Sequence, residues 1–298
     1  MGYIDVSTAA KKWRISERSV RNYCQNGRVP GAVLDKSAWL IPDDAVKPAR
    51  KQRAGRIPID VLPRLKLEKE SSVNGGLYHK IQIDLTYNSN HIEGSRLTHD
   101  QTRYIFETNT IGIEDDAVNV DDVVETVNHF RCVDLLIDQA NYKLSEAFIK
   151  QLHFVLKTGT SDSRKPWFNV GDYKRLENEV GGLPTTLPDK VADEIKSLLK
   201  DYNNIETKTL DDVIDFHYRF EKIHPFQDGN GRVGRLVMFK ECLRNDITPF
   251  IVEDDLKEFY YRGLKEWGRE KGYLRDTILT CQDRFKKYLD YYGVQYKD

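Results

Sequence analysis

His224-Pro225-Phe226-Gln227-Asp228-Gly229-Asn230-Gly231-Arg232 is the stretch on which the reading of this 298-residue chain turns. Upstream of it, Leu210, Val213, Ile214, Phe216, Phe220 and Ile223 share one face at helical spacing. That helix is expected to stop at His224, because proline disfavours a helical conformation in the residue before it. A second helix starts near Gly231 and carries Val233, Leu236, Val237 and Leu243. Between the two, Gly229 and Gly231 have no side chains, so backbone N–H groups can turn toward one point where a helix N-terminus adds positive potential. Arg232 and Arg235 are three apart, hence on one face of the first turns, and their guanidinium forks suit phosphate oxygens. Asp228 offers the carboxylate that magnesium needs when it bridges phosphates. His224 stands at the rim, where an imidazole can take a proton from an incoming hydroxyl. An anion cradle, a metal-binding carboxylate and a base this close together describe a site for nucleotide transfer.

Each piece alone is commonplace: a histidine at a helix end, a Gly-Asn-Gly turn, two arginines at helical spacing. Their order is what is specific. The string resembles the signature of the Fic family, His-x-Phe-x-Asp/Glu-Gly-Asn-Gly-Arg-x-x-Arg, and matches it at every defined position. The resemblance spans about residues 77–270 and implies a mainly α fold, a Fic-type helical core with a small β-hairpin flap. It implies that His224 is the general base, that Phe226 anchors the loop in the core, and that Asp228 holds Mg2+. Gly229, Asn230, Gly231 and Arg232 would then hold the α- and β-phosphates of ATP, and Arg235 the γ-phosphate. In such enzymes a Ser, Thr or Tyr hydroxyl of a target protein attacks the α-phosphorus and pyrophosphate leaves. The glycine at position 231 implies transfer of AMP rather than of phosphate. Gly171-Asp172-Tyr173-Lys174 and Gly181-Gly182-Leu183-Pro184 resemble the family's flap, which would bind an extended target segment by strand addition through Tyr173, Gly181 and Gly182. Tyr260-Tyr261 resembles the pair near the adenine pocket, with buried core tyrosines as the alternative. Trp267-Gly268 departs from relatives that place an asparagine after that pair.

A second constellation lies far upstream. Ile81, Leu85, Ser89 and Glu93 recur every four residues, the spacing of one helical face, and Gly94 is a natural stop. A polar helix end is the plain reading. Ser89-Asn90-His91-Ile92-Glu93-Gly94 also resembles the inhibitory Ser/Thr-x-x-x-Glu-Gly/Asn motif of Fic proteins. By that resemblance Glu93 pairs with Arg235 and occupies the place of the γ-phosphate. The same glutamate positions water for AMP removal in some relatives, so a de-AMPylating hydrolase stays open.

The rest of the chain bounds these readings. The composition, 39% apolar and 31% charged, is that of a soluble protein with room for more than one domain. Four well-separated cysteines, Cys24, Cys132, Cys242 and Cys281, give neither a disulfide framework nor a zinc knuckle. With no signal peptide and no span for a bilayer, the expectation is a cytoplasmic protein without a membrane partner. The net charge of −1 hides an asymmetry: residues 1–56 carry 12 Lys/Arg against 5 Asp/Glu. Residues 1–48 read as a small winged helix-turn-helix-like module, its first helix over Thr8–Arg14, its second capped by Ser16, and Val33-Leu34 and Trp39-Leu40-Ile41 forming a hairpin about Asp35-Lys36. It resembles modules of the MerR and excisionase type. Arg18, Arg21 and Asn22 would face DNA and Lys11, Lys12 and Arg14 its phosphates, with docking to a protein as the alternative. Residues 49–76 are expected to be linker and lead-in, 77–270 the Fic domain with its inhibitory helix, and 271–298 a helical extension. A DNA-binding regulator with a nucleotide-sensing core, and self-association, remain open alternatives.

Overall fold

The computed structural model of the protein describes residues 2–35, 38–48, 59–112 and 117–296. The chain divides into two units, Met1–Ile57 and Pro58–Asp298.

The first unit runs β1 (Tyr3–Ile4), α1 (Val6–Trp13), α2 (Glu17–Gln25), β2 (Val33–Asp35), β3 (Ala38–Pro42). Helix α1 begins two residues before the expected Thr8, because the Asp5 side chain takes the Thr8 N–H at 2.7 Å and so caps it. Ser16 caps α2 from the Ser19 N–H. The hairpin pairs Val33 with Leu40 and Leu34 with Trp39, and β1 adds a third strand on the other side of β3. Lys36 of the expected Asp35-Lys36 turn, and Ala49–Arg56 of the expected linker, lie outside the described residues. Val6, Ala9, Trp13, Val20, Cys24, Val29 and Ile41 close a small core, which leaves Lys11, Lys12, Arg14, Arg18, Arg21 and Asn22 exposed.

The second unit is helical: α3 (Val61–Glu70), α4 (Leu77–Ile92), α5 (His99–Thr108), α6 (Val120–Asp138), α7 (Glu146–Lys157), a hairpin of β4 (Glu179–Val180) and β5 (Leu183–Pro184), then α8 (Val191–Asn204), α9 (Leu210–Ile223), α10 (Asn230–Arg244), α11 (Lys257–Glu266) and α12 (Gly272–Tyr292). Helix α10 is buried on every side from Arg232 to Leu243, as a helix must be when it runs through the middle of a core. Helices α4, α6, α7 and α9 pack on it. Ile81, Leu85, Val133, Leu136, Leu152, Leu156, Phe220, Leu236 and Val237 fill the space between them, each such buried side chain contributing roughly 1.5–3 kcal/mol. Leu65 of α3 and Phe285 and Leu289 of α12 belong to the same core. The segments flanking 77–270 are thus built into the helical unit, through apolar residues too widely spaced in sequence to announce it. Among the described residues no helix is long and apolar enough to cross a membrane.

Candidate active site

The loop between α9 and α10 is a strained turn held from inside. His224 caps α9 in the left-handed region, φ 51°, with its N–H on the Phe220 carbonyl at 2.9 Å. Few residues with a side chain adopt that conformation, and it recurs at functional sites. Phe226 is fully buried and stacks on His153 with ring centroids 4.0 Å apart. The Asn230 side chain takes the Phe226 N–H at 2.8 Å and returns an N–H to the Phe226 carbonyl at 2.9 Å. Both ends of that amide are committed to bracing the loop, so its contribution to a phosphate would come from its backbone N–H. Gly229 precedes α10 at φ 80°, and the N–H groups of the first turn that follows have no partners within the helix.

Charge is concentrated around this turn. The Arg232 guanidinium donates to Asp228 Oδ2 at 3.2 Å and also pairs with Glu125 of α6. Lys157, the last residue of α7, donates to Asp228 Oδ2 at 2.6 Å, Glu125 Oε1 at 2.5 Å and Asp162 Oδ2 at 3.1 Å. Burial works against ionisation of Asp228, but Arg232 and Lys157 outweigh it and hold its carboxyl far below the usual carboxylate range. Asp228 is therefore an anion at any physiological pH.

One turn further along α10, the buried Arg235 meets the end of α4. Its Nε donates to Ser89 Oγ at 3.0 Å, and one terminal nitrogen donates to the Ser89 carbonyl at 2.9 Å and to Glu93 Oε1 at 2.7 Å. Glu93 itself caps α4, and Gly94 leaves the helix at φ 96°. Position 231 lies close beneath this carboxylate: a Cβ there would lie 2.3 Å from Glu93 Oε1, so a side chain at 231 would require the glutamate end to shift.

The histidine at the rim is held neutral. Burial, with the Lys174 ammonium adding to it, pushes the His224 pKa down to about 4, so the ring is neutral near pH 7. Its Nδ1 has no hydrogen-bond partner among the described residues and faces Glu221 Oε2 at 3.9 Å. Burial, then the nearby Glu93 charge, push the Glu221 carboxyl up to about 8.

The flap hairpin turns at Gly181 and Gly182, at φ 58° and 74°, the left-handed pair that a two-residue hairpin requires. Its strands pair only Glu179 with Pro184 and Val180 with Leu183. Gly171–Lys174 lies outside the hairpin. There the Lys174 N–H bonds the Pro225 carbonyl at 2.9 Å, and the Tyr173 ring packs against Phe226 at 6.0 Å. Asn178 completes the fastening by donating to the Phe226 carbonyl at 3.0 Å. Of the two tyrosines on α11, Tyr260 is buried with its hydroxyl 2.6 Å from His217 Nε2 and its ring 6.0 Å from the Arg235 guanidinium. Tyr261 is partly exposed and donates to the Ile92 carbonyl at 3.4 Å, at the end of α4.

Glu125, Lys157, Asp162 and Glu221 were not singled out from sequence.

A helical bundle whose central helix starts at a glycine-lined turn, with paired arginines along it and a neutral histidine at the rim, is the geometry of this site. Residues 143–242 match the model of the Fic/DOC family. The chain is 27% identical over 215 residues to the protein adenylyltransferase Fic of Drosophila willistoni and 28% identical over 214 residues to that of Drosophila melanogaster. Each match covers 69% of this chain and 40% or 41% of the relative, so the chain spans about two fifths of the length of those proteins. Its fold resembles a Fic domain containing signaling protein from Bacteroides thetaiotaomicron, with a TM-score of 0.61 at 21% identity over 80% of this chain and 98% of that one. It also resembles Fic-1 from C. elegans, with a TM-score of 0.60 at 18% identity over 77% and 71% of the two chains. These two likenesses concern the fold.

Proposed function

We propose that this protein is a protein adenylyltransferase that moves AMP from ATP to a Ser, Thr or Tyr hydroxyl of a target protein and is restrained by Glu93. The observation that carries the reading is the loop itself, with a proton-accepting His224 at one end and two buried arginines, Arg232 and Arg235, at the other. In the reaction the hydroxyl proton passes to the His224 imidazole as the oxygen bonds to the α-phosphorus. The bond from that phosphorus to the bridging oxygen breaks, and pyrophosphate leaves. Such chemistry depends chiefly on positioning and charge stabilisation. Arg232 and the N–H groups of Gly229, Asn230 and Gly231 are suited to the α- and β-phosphates, and Arg235 to the γ-phosphate. Tyr260 and Tyr261 would flank the adenosine side, the flap hairpin with Gly181 and Gly182 would receive the target, and Tyr173 would support the loop through Phe226.

Asp228 fits a magnesium ion. It is held ionised, and among the described residues no group of three His, Cys, Asp or Glu can hold a metal. The ion would therefore take one protein carboxylate and complete its shell with phosphate oxygens and water, the pattern magnesium favours. When bound, it would neutralise charge on the phosphates.

Glu93 is read as a brake because its carboxylate already holds Arg235 at 2.7 Å. ATP must compete with that contact or bind with its α-phosphate misplaced. The decisive experiment incubates the Glu93→Gly protein with ATP labelled at the α or the γ position. Protein-bound label from the α position alone is expected. Label from the γ position would mean a kinase, and label from neither would contradict group transfer to protein.

For the first unit, we propose contact with DNA, supported by the exposed Arg18, Arg21 and Asn22 on α2 and the excess of basic residues. Deleting residues 1–56 should remove duplex affinity and leave transfer unchanged, and the affinity of the full chain should fall steeply with salt. Retention of binding by the shortened chain would reject this assignment.

A further inference from the structure

Lys157 is buried, with 2% of its side chain exposed, and none of the roles given above uses it. Lysine is almost never buried unless paired, and here one ammonium serves three carboxylates: Glu125 from α6, Asp162 from the turn after α7, and Asp228 from the loop. On Asp228 the contact falls on Oδ2, the same oxygen that receives Arg232, and Oδ1 takes neither donor. The carboxylate proposed to bind a divalent metal is therefore already shared with a fixed monovalent cation 2.6 Å away.

We propose that Lys157 is a resident cation that sets the metal affinity of Asp228, so that a divalent ion binds well only when it arrives with the phosphates of a nucleotide. The inference rests on the reading of Asp228 as the metal ligand. Two effects of the ammonium oppose each other. It holds the Asp228 side chain in one orientation, which favours the metal by sparing the entropy of ordering one short side chain. It also places a positive charge beside the incoming dication, in a partly buried setting where charges are weakly screened. Repulsion between a unit charge and a dication a few ångströms apart outweighs the ordering of one short carboxylate. Without nucleotide, the metal meets Lys157 and Arg232 already neutralising most of the charge of Glu125, Asp162 and Asp228. Phosphate oxygens, bringing several negative charges, reverse that balance. If Lys157 were only a tie between α6, α7 and the loop, its removal would lower stability and leave the metal affinity of the folded protein unchanged.

The test measures binding of Mn2+ to the full chain without nucleotide, by the electron paramagnetic resonance signal of the free ion. Lys157→Met should bind Mn2+ roughly tenfold more tightly or better, and Lys157→Arg, which keeps the charge, should stay within about threefold of wild type. Equal or weaker binding by folded Lys157→Met would overturn the inference. Asp162→Asn, at a partly exposed position, takes one acceptor from the ammonium and leaves more net positive charge beside Asp228. It should weaken Mn2+ binding by about two- to fivefold, and it decides the matter if Lys157→Met does not fold, an unchanged affinity then counting against the proposal. Asp228→Asn separates the two layers. If Mn2+ still promoted binding of a fluorescent ATP analogue in Asp228→Asn, the metal-ligand reading would fail. If that promotion were lost while Lys157→Met remained at wild-type Mn2+ affinity, the inference about Lys157 alone would fail.

Discussion

Arg232 and Arg235 sit three residues apart on α10, both nearly buried and both ending on carboxylates, yet their surroundings differ in kind. Arg232 belongs to an interlocked set in which Glu125, Asp228, Asp162 and Lys157 each hold more than one partner or are held by one that does. Removing one member would leave buried charge uncompensated, which is costly. Arg235 meets a single carboxylate, Glu93, at the C-terminal end of α4, whereas Arg232 meets two, Glu125 and the more exposed Asp228. Its remaining contacts, to Ser89, are neutral. The same pairing chemistry thus gives contacts shared within a cluster at one end of the loop and an isolated contact at the other. The difference lies in the number of ties: Glu125 and Asp228 are each shared with Lys157, and Glu93 pairs with Arg235 alone among the described residues.

The comparison makes unequal predictions for the two ends and for the base between them. The largest effect belongs to His224, which touches neither arginine pair. His224→Ala should reduce transfer by roughly a hundredfold to ten-thousandfold, while equilibrium binding of an ATP analogue, followed by fluorescence, stays close to wild type. Transfer at the wild-type rate would show that another group removes the proton. A large loss of nucleotide binding would show that His224 belongs to the cradle.

The two ends also differed in how far sequence could describe them. The loop was legible because helical periodicity on both sides, a proline and paired glycines all act locally. The face of α4 was legible for the same reason: Ile81, Leu85 and Ser89 are all buried along it, and its last polar member, Glu93, reaches Arg235 across 142 residues of chain. Other features depend on tertiary placement. Lys157 in the last turn of a helix reads as a favourable surface charge beside the helix dipole. Only packing of α6 and the loop around it turns that position into a buried ion cluster. Asn230 looks like a phosphate ligand in a glycine turn, and its role as a brace appears only when the Phe226 backbone is seen beside it. Tyr173 was assigned to the flap, where its neighbours in sequence lie, but its ring packs under the loop. The apolar residues of α3 mark no continuous face, and Leu65 alone is fully buried among them, so its place in the core follows from tertiary packing.

The central claim is that Glu93 restrains transfer by holding Arg235, and a double-mutant cycle tests it most directly. Transfer of label from α-labelled ATP is measured for wild type, Glu93→Gly, Arg235→Ala and the double variant. A charge-assisted hydrogen bond of this kind contributes on the order of 1.5–3 kcal/mol, and a factor of ten corresponds to about 1.4 kcal/mol. Glu93→Gly should therefore raise transfer by roughly ten- to hundredfold in the presence of Arg235. In the Arg235→Ala background there is no guanidinium to release, so removing Glu93 should bring no comparable gain. An equal rise in both backgrounds, or no rise in the first, would contradict the account.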